Sequence, residues 1–271
     1  MTTKGITLIY FSPTGTTGKV LDQIAKGMGK EISKVIDMTD SKTRSQVPPE
    51  FGKDDIVLIG APVYAGRIPK DAVDYFKTLK ATETPAVLTV VYGNREFEDA
   101  LLELKDITTG CGFVPAAGGA FIGEHSFSSH KLPIAPGRPD AGDLDQATVF
   151  GEKIAAQLKG LDLPGEIGDL AVPGNSPYRD GMGNKAFAFI QISDDCDNCG
   201  TCATVCPKDA IDEDKGYITM DDRCIFCCAC IKACPQNARS LMDGPMKDTA
   251  KRLHETCSVP KAPQTFFAGR A

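Results

Sequence analysis

Two runs of cysteine set the chemistry available to this chain. Residues 196–207 read C-D-N-C-G-T-C-A-T-V-C-P, and residues 224–235 read C-I-F-C-C-A-C-I-K-A-C-P. Each is C-x2-C-x2-C-x3-C-P, and the two start 28 residues apart. Thiolates are soft ligands suited to zinc or to iron–sulfur clusters. Zinc takes two cysteine pairs set far apart, whereas four cysteines in one short run, twice over, suit two [4Fe–4S] cubanes. Three cysteines spaced two residues apart wrap one cluster. The fourth, set back and followed by proline, leaves at an angle and reaches the other. This assigns Cys196, Cys199, Cys202 and Cys234 to one cluster, and Cys224, Cys227, Cys230 and Cys206 to the second. Cys228, beside Cys227, is read as a packing residue, with ligand exchange as the lesser alternative.

A second constellation lies far upstream. Residues 5–11 are an apolar run with β-branched and aromatic members, the pattern of a strand buried on both faces. The run leads into Ser12-Pro13-Thr14-Gly15-Thr16-Thr17 and then into a helical pattern through Val20, Leu21, Ile24, Ala25 and Met28. A strand, a glycine-containing turn and a helix start make a phosphate cradle: amides and the positive dipole end point outward, and hydroxyls add donors. A capping turn needs one Ser or Thr, and this one has four in six residues.

Further strands are expected at 32–38, 54–61, 86–92 and 113–122, with helices near 69–79, 95–108 and 143–158. Strands alternating with helices predict an α/β doubly wound sheet of five parallel strands in the order 2-1-3-4-5. Ligands then sit beyond the carboxyl ends of the first and third strands. The loops expected there carry Pro62, Val63, Tyr64, Ala65 and Gly66, and then Tyr92, Gly93, Asn94 and Arg95. Tyr64 and Tyr92 are candidates to stack on an isoalloxazine, and Gly66 and Gly93 to let backbone approach its edge. His125 and Phe127 follow the fifth strand on the edge of the flavin loops, where either is a candidate to border the site or a docking partner's entry, with a solvated loop as the plainer reading of His125.

The turn Ser12–Thr17 resembles the T/S-x-T-G-x-T phosphate signature of flavodoxins, and its place implies FMN held by Ser12, Thr14, Gly15, Thr16, Thr17 and the two later loops. The cysteine runs resemble those of the two-cluster bacterial-type ferredoxins, with every ligand present. As a whole the chain resembles the flavodoxin–ferredoxin fusions of anaerobic prokaryotes called ferrodoxins, a likeness that implies electron transfer without naming a partner. It departs from common small flavodoxins in lacking tryptophan and an acidic tract around the ring.

The 271 residues divide, on this reading, into a flavodoxin-like unit at 1–160 and an interdomain connection at 161–185 rich in Gly and Pro. A small α+β two-cluster ferredoxin domain at 186–245 follows, then a tail at 246–271. Leu161, Leu163, Ile167, Leu170 and Val172 suggest that the connection packs along a domain. His254 and Cys257 in the tail are read as surface residues, Cys111 as a packing residue, and the chain beyond Pro260 as patternless. The absence of any apolar run of about 18 residues argues against a membrane span, and reduced thiols suit a cytoplasmic setting. A net charge of −6 argues against nucleic acid. Residues 190–245 carry ten Asp and Glu against five Lys and Arg, which favours redox partner proteins that dock near the ferredoxin domain through a basic face.

A flavin stores one or two electrons and a cubane passes one at a time. The expected function is therefore relay of low-potential electrons between two clusters and FMN, the protein acting as a carrier or adaptor. The alternatives are a cluster-fed, flavin-dependent reductase of a small substrate, and a redox or iron sensor. The sensor is weakened by the lack of a basic DNA-reading module, and direct use of a nicotinamide dinucleotide has no fingerprint.

Overall fold

The computed structural model describes residues 5–159, 164–183 and 186–270. The first part builds β1 (Ile6–Tyr10), α1 (Thr16–Gly27), β2 (Ile32–Asp37), β3 (Ile56–Pro62), α2 (Lys70–Phe76), β4 (Thr84–Tyr92), α3 (Ala100–Gly110), β5 (Phe113–Ile122) and α4 (Ala141–Leu158). The parallel strands lie in the order β2-β1-β3-β4-β5. Strands β3 and β4 are buried along their whole length, because both sheet faces are covered. On one face Val20, Leu21 and Ile24 of α1 pack with Phe150 and Ile154 of α4. On the other, Tyr75 and Phe76 of α2 pack with Leu101 and Leu104 of α3. The last helix begins two residues before the expected Asp143: Asp140 caps it, and the two carboxylates form a reciprocal capping box.

Among the described residues the sheet has a sixth strand beside the five parallel ones. The tail expected to be patternless supplies β8 (Gln264–Phe267), antiparallel to β5 at the sheet edge. Phe267 meets Phe150 at 5.4 Å, and the added strand satisfies an edge that would otherwise be open. Cys257 is likewise buried, beside Leu253 and Ile134, and the His254 ring lies 2.7 Å from the Pro133 carbonyl oxygen. Neither is a free surface residue. Cys111 is half-buried, its thiol donating to the Phe76 carbonyl.

In the ferredoxin part, β6 (Ile190–Ile192) pairs antiparallel with β7 (Arg239–Leu241), and Ile211–Asp212 pairs with Ile218–Thr219. The two cysteine runs repeat in backbone as well as in sequence. Left-handed φ values recur at Asn198 and Phe226 (58° and 60°), at Gly200 and Cys228 (76° and 57°), and at Asp209 and Asn237 (48° and 52°). Cys228 thus occupies the position held by glycine in the first run. Helix α5 (Pro245–Thr256) follows β7.

Leu161 and Leu163 of the connection lie outside the described residues. Its other apolar residues do pack: Leu170 and Ile167 are buried, and Val172 touches the main core. The Asn175 and Arg179 amides donate to the Asp99 carboxylate at 2.8 and 2.7 Å. Burial alone would raise that carboxyl, but these hydrogen bonds hold it below its ordinary range.

Candidate functional site: a flavin cavity walled by a cluster loop

At the carboxyl ends of β1, β3, β4 and β5 lies a cavity of about 770 Å³. Of the residues expected to hold FMN, it is lined by Thr14, Thr16, Pro62, Val63, Tyr64, Ala65, Tyr92, Gly93 and Arg95. The loop Ser12–Gly15 turns into α1 with Gly15 at φ 76°, and the first-turn amides of the helix have no acceptor within it. Hydroxyls of Thr14 and Thr16 beside those amides fit a phosphate.

Five expected residues do other work. The Ser12 hydroxyl turns inward and accepts from the Gly18 amide at 3.2 Å. Thr17 is fully buried, its methyl on the sheet near Gly60, and Gly15 shapes the turn without lining the cavity. Gly66 faces Glu98 and Arg179, whose side chains a β-carbon would strike. Asn94 is buried with its side chain pointed at the C-terminal segment: its Nδ2 donates to the carbonyls of Cys257 (2.8 Å) and Val259 (2.9 Å), and its Oδ1 accepts from the Lys261 amide. The Asn94 side chain anchors the tail.

The aromatic candidates also separate. The Tyr92 ring is buried against Phe97 at 5.5 Å, and burial, then Glu96, pushes its phenol up to about 12. Its ring belongs to the core and is not free to stack. Tyr64 stands at the other wall. Burial, followed by the neighbouring Cys227 and Cys228 thiols, raises its phenol well above the usual value, opposed by a hydrogen bond with Ser126. Tyr64 therefore lines the flavin cavity and stands near the second cysteine run.

His125 is half-buried at the cavity wall. It lies on Gly93, where a β-carbon would come within 2.4 Å of the imidazole Cδ2, so only glycine leaves the ring this place. Its Nδ1 accepts from the Phe127 amide at 3.0 Å, which leaves the proton on Nε2. Burial, then Arg95 and Lys232, lowers its pKa to about 4. A neutral imidazole donor thus borders the cavity. The sequence also gave no signal for the rest of the wall: Arg179 and Met182 of the connection, Met246, Thr249 and Arg252 of α5, and Phe226 from within the second cysteine run. All of these are long-range contacts.

The cysteines surround two smaller cavities. Cys196, Cys199, Cys202 and Cys234 line one; Cys206, Cys224, Cys227 and Cys230 line the other, with Cys228 beside them. Among the described residues no three or more His, Cys, Asp or Glu converge as they would on a single metal ion. Sulfurs spread around a cavity fit a cube of iron and sulfide better than one zinc. Backbone amides are aimed at the sulfurs with the same symmetry: Ala210 N–H donates to Cys206 Sγ and Ala238 N–H to Cys234 Sγ, each at 3.3 Å. Such bonds favour thiolate. Burial pushes the unligated Cys224 thiol up to about 11 and Cys227 higher still, so cluster assembly must displace protons.

The second site faces the flavodoxin part. Lys232 bridges to Glu124 at 2.5 Å and donates to the Ser128 carbonyl at 2.8 Å. Lys208 bridges to Asp71 at 2.5 Å, Arg44 donates to the Pro207 carbonyl, and Ile225 packs on the main core. The first site is the outer one: Cys199 is exposed, as are Asp194, Asp195 and Asp197. No helix among the described residues is long and apolar enough to cross a membrane.

Comparison with known proteins agrees with this division. A flavodoxin domain model matches residues 7–105, and a 4Fe-4S binding domain model matches residues 189–212 and 217–240. Flavodoxin 1 of Escherichia coli strain K12 is 32% identical over 144 residues, which are 50% of this chain and 76% of that protein. The flavodoxin of Klebsiella pneumoniae is 30% identical over 143 residues, 50% and 75% of the respective chains. Among solved structures, a Fusobacterium nucleatum flavodoxin bound to flavin mononucleotide matches at 13% identity and TM-score 0.36, over 57% of this chain and 96% of that one. The chain belongs to the flavodoxin family, its flavodoxin domain followed by a domain that binds two 4Fe-4S clusters.

Proposed function

We propose that this protein is an electron carrier in which the outer cluster site, the inner cluster site and the flavin cavity form one internal relay for low-potential electrons. The observation that carries the reading is the shared wall: Phe226, between ligands Cys224 and Cys227, lines the flavin cavity together with Tyr64 of the flavin loop. Bound there, FMN would supply storage of one or two electrons beside one-electron cluster sites. The chain's residues do the positioning. Thr14 and Thr16 with the α1 amides hold the phosphate end. Ala65 and Gly93 bring backbone to the ring, and His125 offers an N–H donor. Phe226, Phe187 and Met182 keep water out of the space between the two domains. The exposed acidic rim of the outer site suits a redox partner with a basic face.

The reductase alternative needs an open face over the flavin, and α5 and the connection contribute to the wall of that cavity. The test is rapid mixing of the anaerobic, fully loaded protein with less than one equivalent of dithionite, with cluster and flavin absorbance followed separately. Cluster bleaching should precede flavin reduction, and the second phase should be first order, unchanged on dilution. A second phase that slows in proportion to protein concentration means transfer between molecules and overturns the relay. Steady turnover of a small acceptor without any protein partner would favour the reductase.

A further inference from the structure

Among the described residues of the ferredoxin domain, Arg239 is the one charged side chain that is buried. It stands five residues after Cys234, where the first run has Ile211 five residues after Cys206. Ile211 is buried and apolar, as the interior of a small domain requires. Arg239 is 3% exposed. Its guanidinium donates to the Tyr217 carbonyl at 2.7 Å, to Thr219 Oγ1 at 2.6 Å and to Cys202 Sγ at 3.8 Å, and its charge lies close enough to Cys230 to favour that thiolate. Its Nε is buried without a partner, and among the described residues it forms no ion pair with a carboxylate.

A guanidinium stripped of water costs several kcal/mol unless an anion faces it, and neutral acceptors return only part of that. No carboxylate among the described residues faces it, but Cys202 belongs to the outer cluster's ligands and Cys230 to the inner cluster's. A cluster held by four thiolates is anionic, and one-electron reduction adds a further negative charge. We infer that Arg239 is a counter-cation shared by both cluster sites, and a positioning residue that sets how readily each accepts an electron. Reduction takes one electron from an external donor into either site with no bond made or broken, so the Arg239 charge stabilises the reduced form more than the oxidised one. The inference rests on the two clusters alone and stands whether or not electrons continue to the flavin.

The test is anaerobic redox titration of both clusters, followed by electron paramagnetic resonance, with iron analysis, in the wild type, Arg239→Ile and Arg239→Lys. Isoleucine is the residue that the matching position already accommodates. For Arg239→Ile with full iron, both clusters should become at least tenfold harder to reduce, 59 mV per tenfold for a one-electron couple. Arg239→Lys should restore most of the difference. If Arg239→Ile loses iron and Arg239→Lys keeps it, the counter-ion role is also supported. The inference is overturned if iron-replete Arg239→Ile keeps its potentials, if only one cluster shifts, or if the lysine and isoleucine variants are equally affected.

Discussion

His125 gives a prediction whose size follows from its surroundings. Its folded pKa is about 4, against 6.5 for the unperturbed side chain, because burial, Arg95 and Lys232 all oppose the imidazolium. The unfolded chain binds the proton first, so stability is fully present above pH 6.5 and is lost as pH falls toward 4. At ~1.4 kcal/mol per pK unit the full effect is about 3 kcal/mol, and about 2 kcal/mol of it is lost by about pH 5. His125→Gln removes the titration and keeps a donor and an acceptor. Urea unfolding of the loaded wild type and variant, followed by circular dichroism at about pH 7.5 and about pH 5, isolates the histidine, because every other group contributes equally to both proteins. The wild type should lose about 2 kcal/mol more than the variant over that range. Parallel losses, within about 0.5 kcal/mol, would refute the view that His125 is a half-buried neutral donor.

Two further substitutions probe the flavin rim and the cluster loop. Asn94→Ala removes three hydrogen bonds to the tail and puts a β-branchless but chiral residue at φ 62°. It should cost about 2–4 kcal/mol and speed both proteolysis after Leu253 and release of FMN, read by thermal melting and flavin fluorescence. Cys228→Gly gives the second run the glycine of the first at the same left-handed position. Relief of about 1 kcal/mol of backbone strain should offset the lost thiol packing, with iron content unchanged on analysis; loss of iron would make Cys228 a ligand.

The chemistry was legible where it is local. The spacing picks out the eight cysteines that line the two smaller cavities, and the strand–turn–helix at Ser12–Thr17 shows itself in apolar periodicity and hydroxyl content. What failed was orientation within those stretches. Four hydroxyls in one turn look equivalent, yet the helix start sends Thr14 and Thr16 to the cavity, Ser12 to the Gly18 amide and Thr17 to the sheet. Tyr92 ends a strand whose residues are all buried, so its ring goes to Phe97. Residues 264–267 have too short a run to mark themselves as a strand, and become one because β5 presents an unpaired edge. His125 reaches the cavity wall only because Gly93, 32 residues earlier, leaves room for the ring.

The joining of two domains in one chain also has a physical consequence. Separate electron carriers must find each other and align at every exchange, which costs translational and rotational freedom each time. Here the inner cluster loop is already seated. Lys232–Glu124 and Lys208–Asp71 are half-buried pairs worth at most about 1 kcal/mol each, so they fix register more than they supply affinity. The apolar contacts of Ile225, Phe226 and Phe187 do the rest, and the connection clamped at Asp99 keeps their effective concentration high. The outer site, where Cys199 and its acidic neighbours are exposed, is the end that the proposed relay leaves open to a partner. Loosening the inner contact with Lys232→Met should slow transfer from cluster to flavin without changing iron or flavin content. Raised salt should weaken docking at the outer site while leaving that internal step alone, since screening acts on exposed charges far more than on half-buried ones.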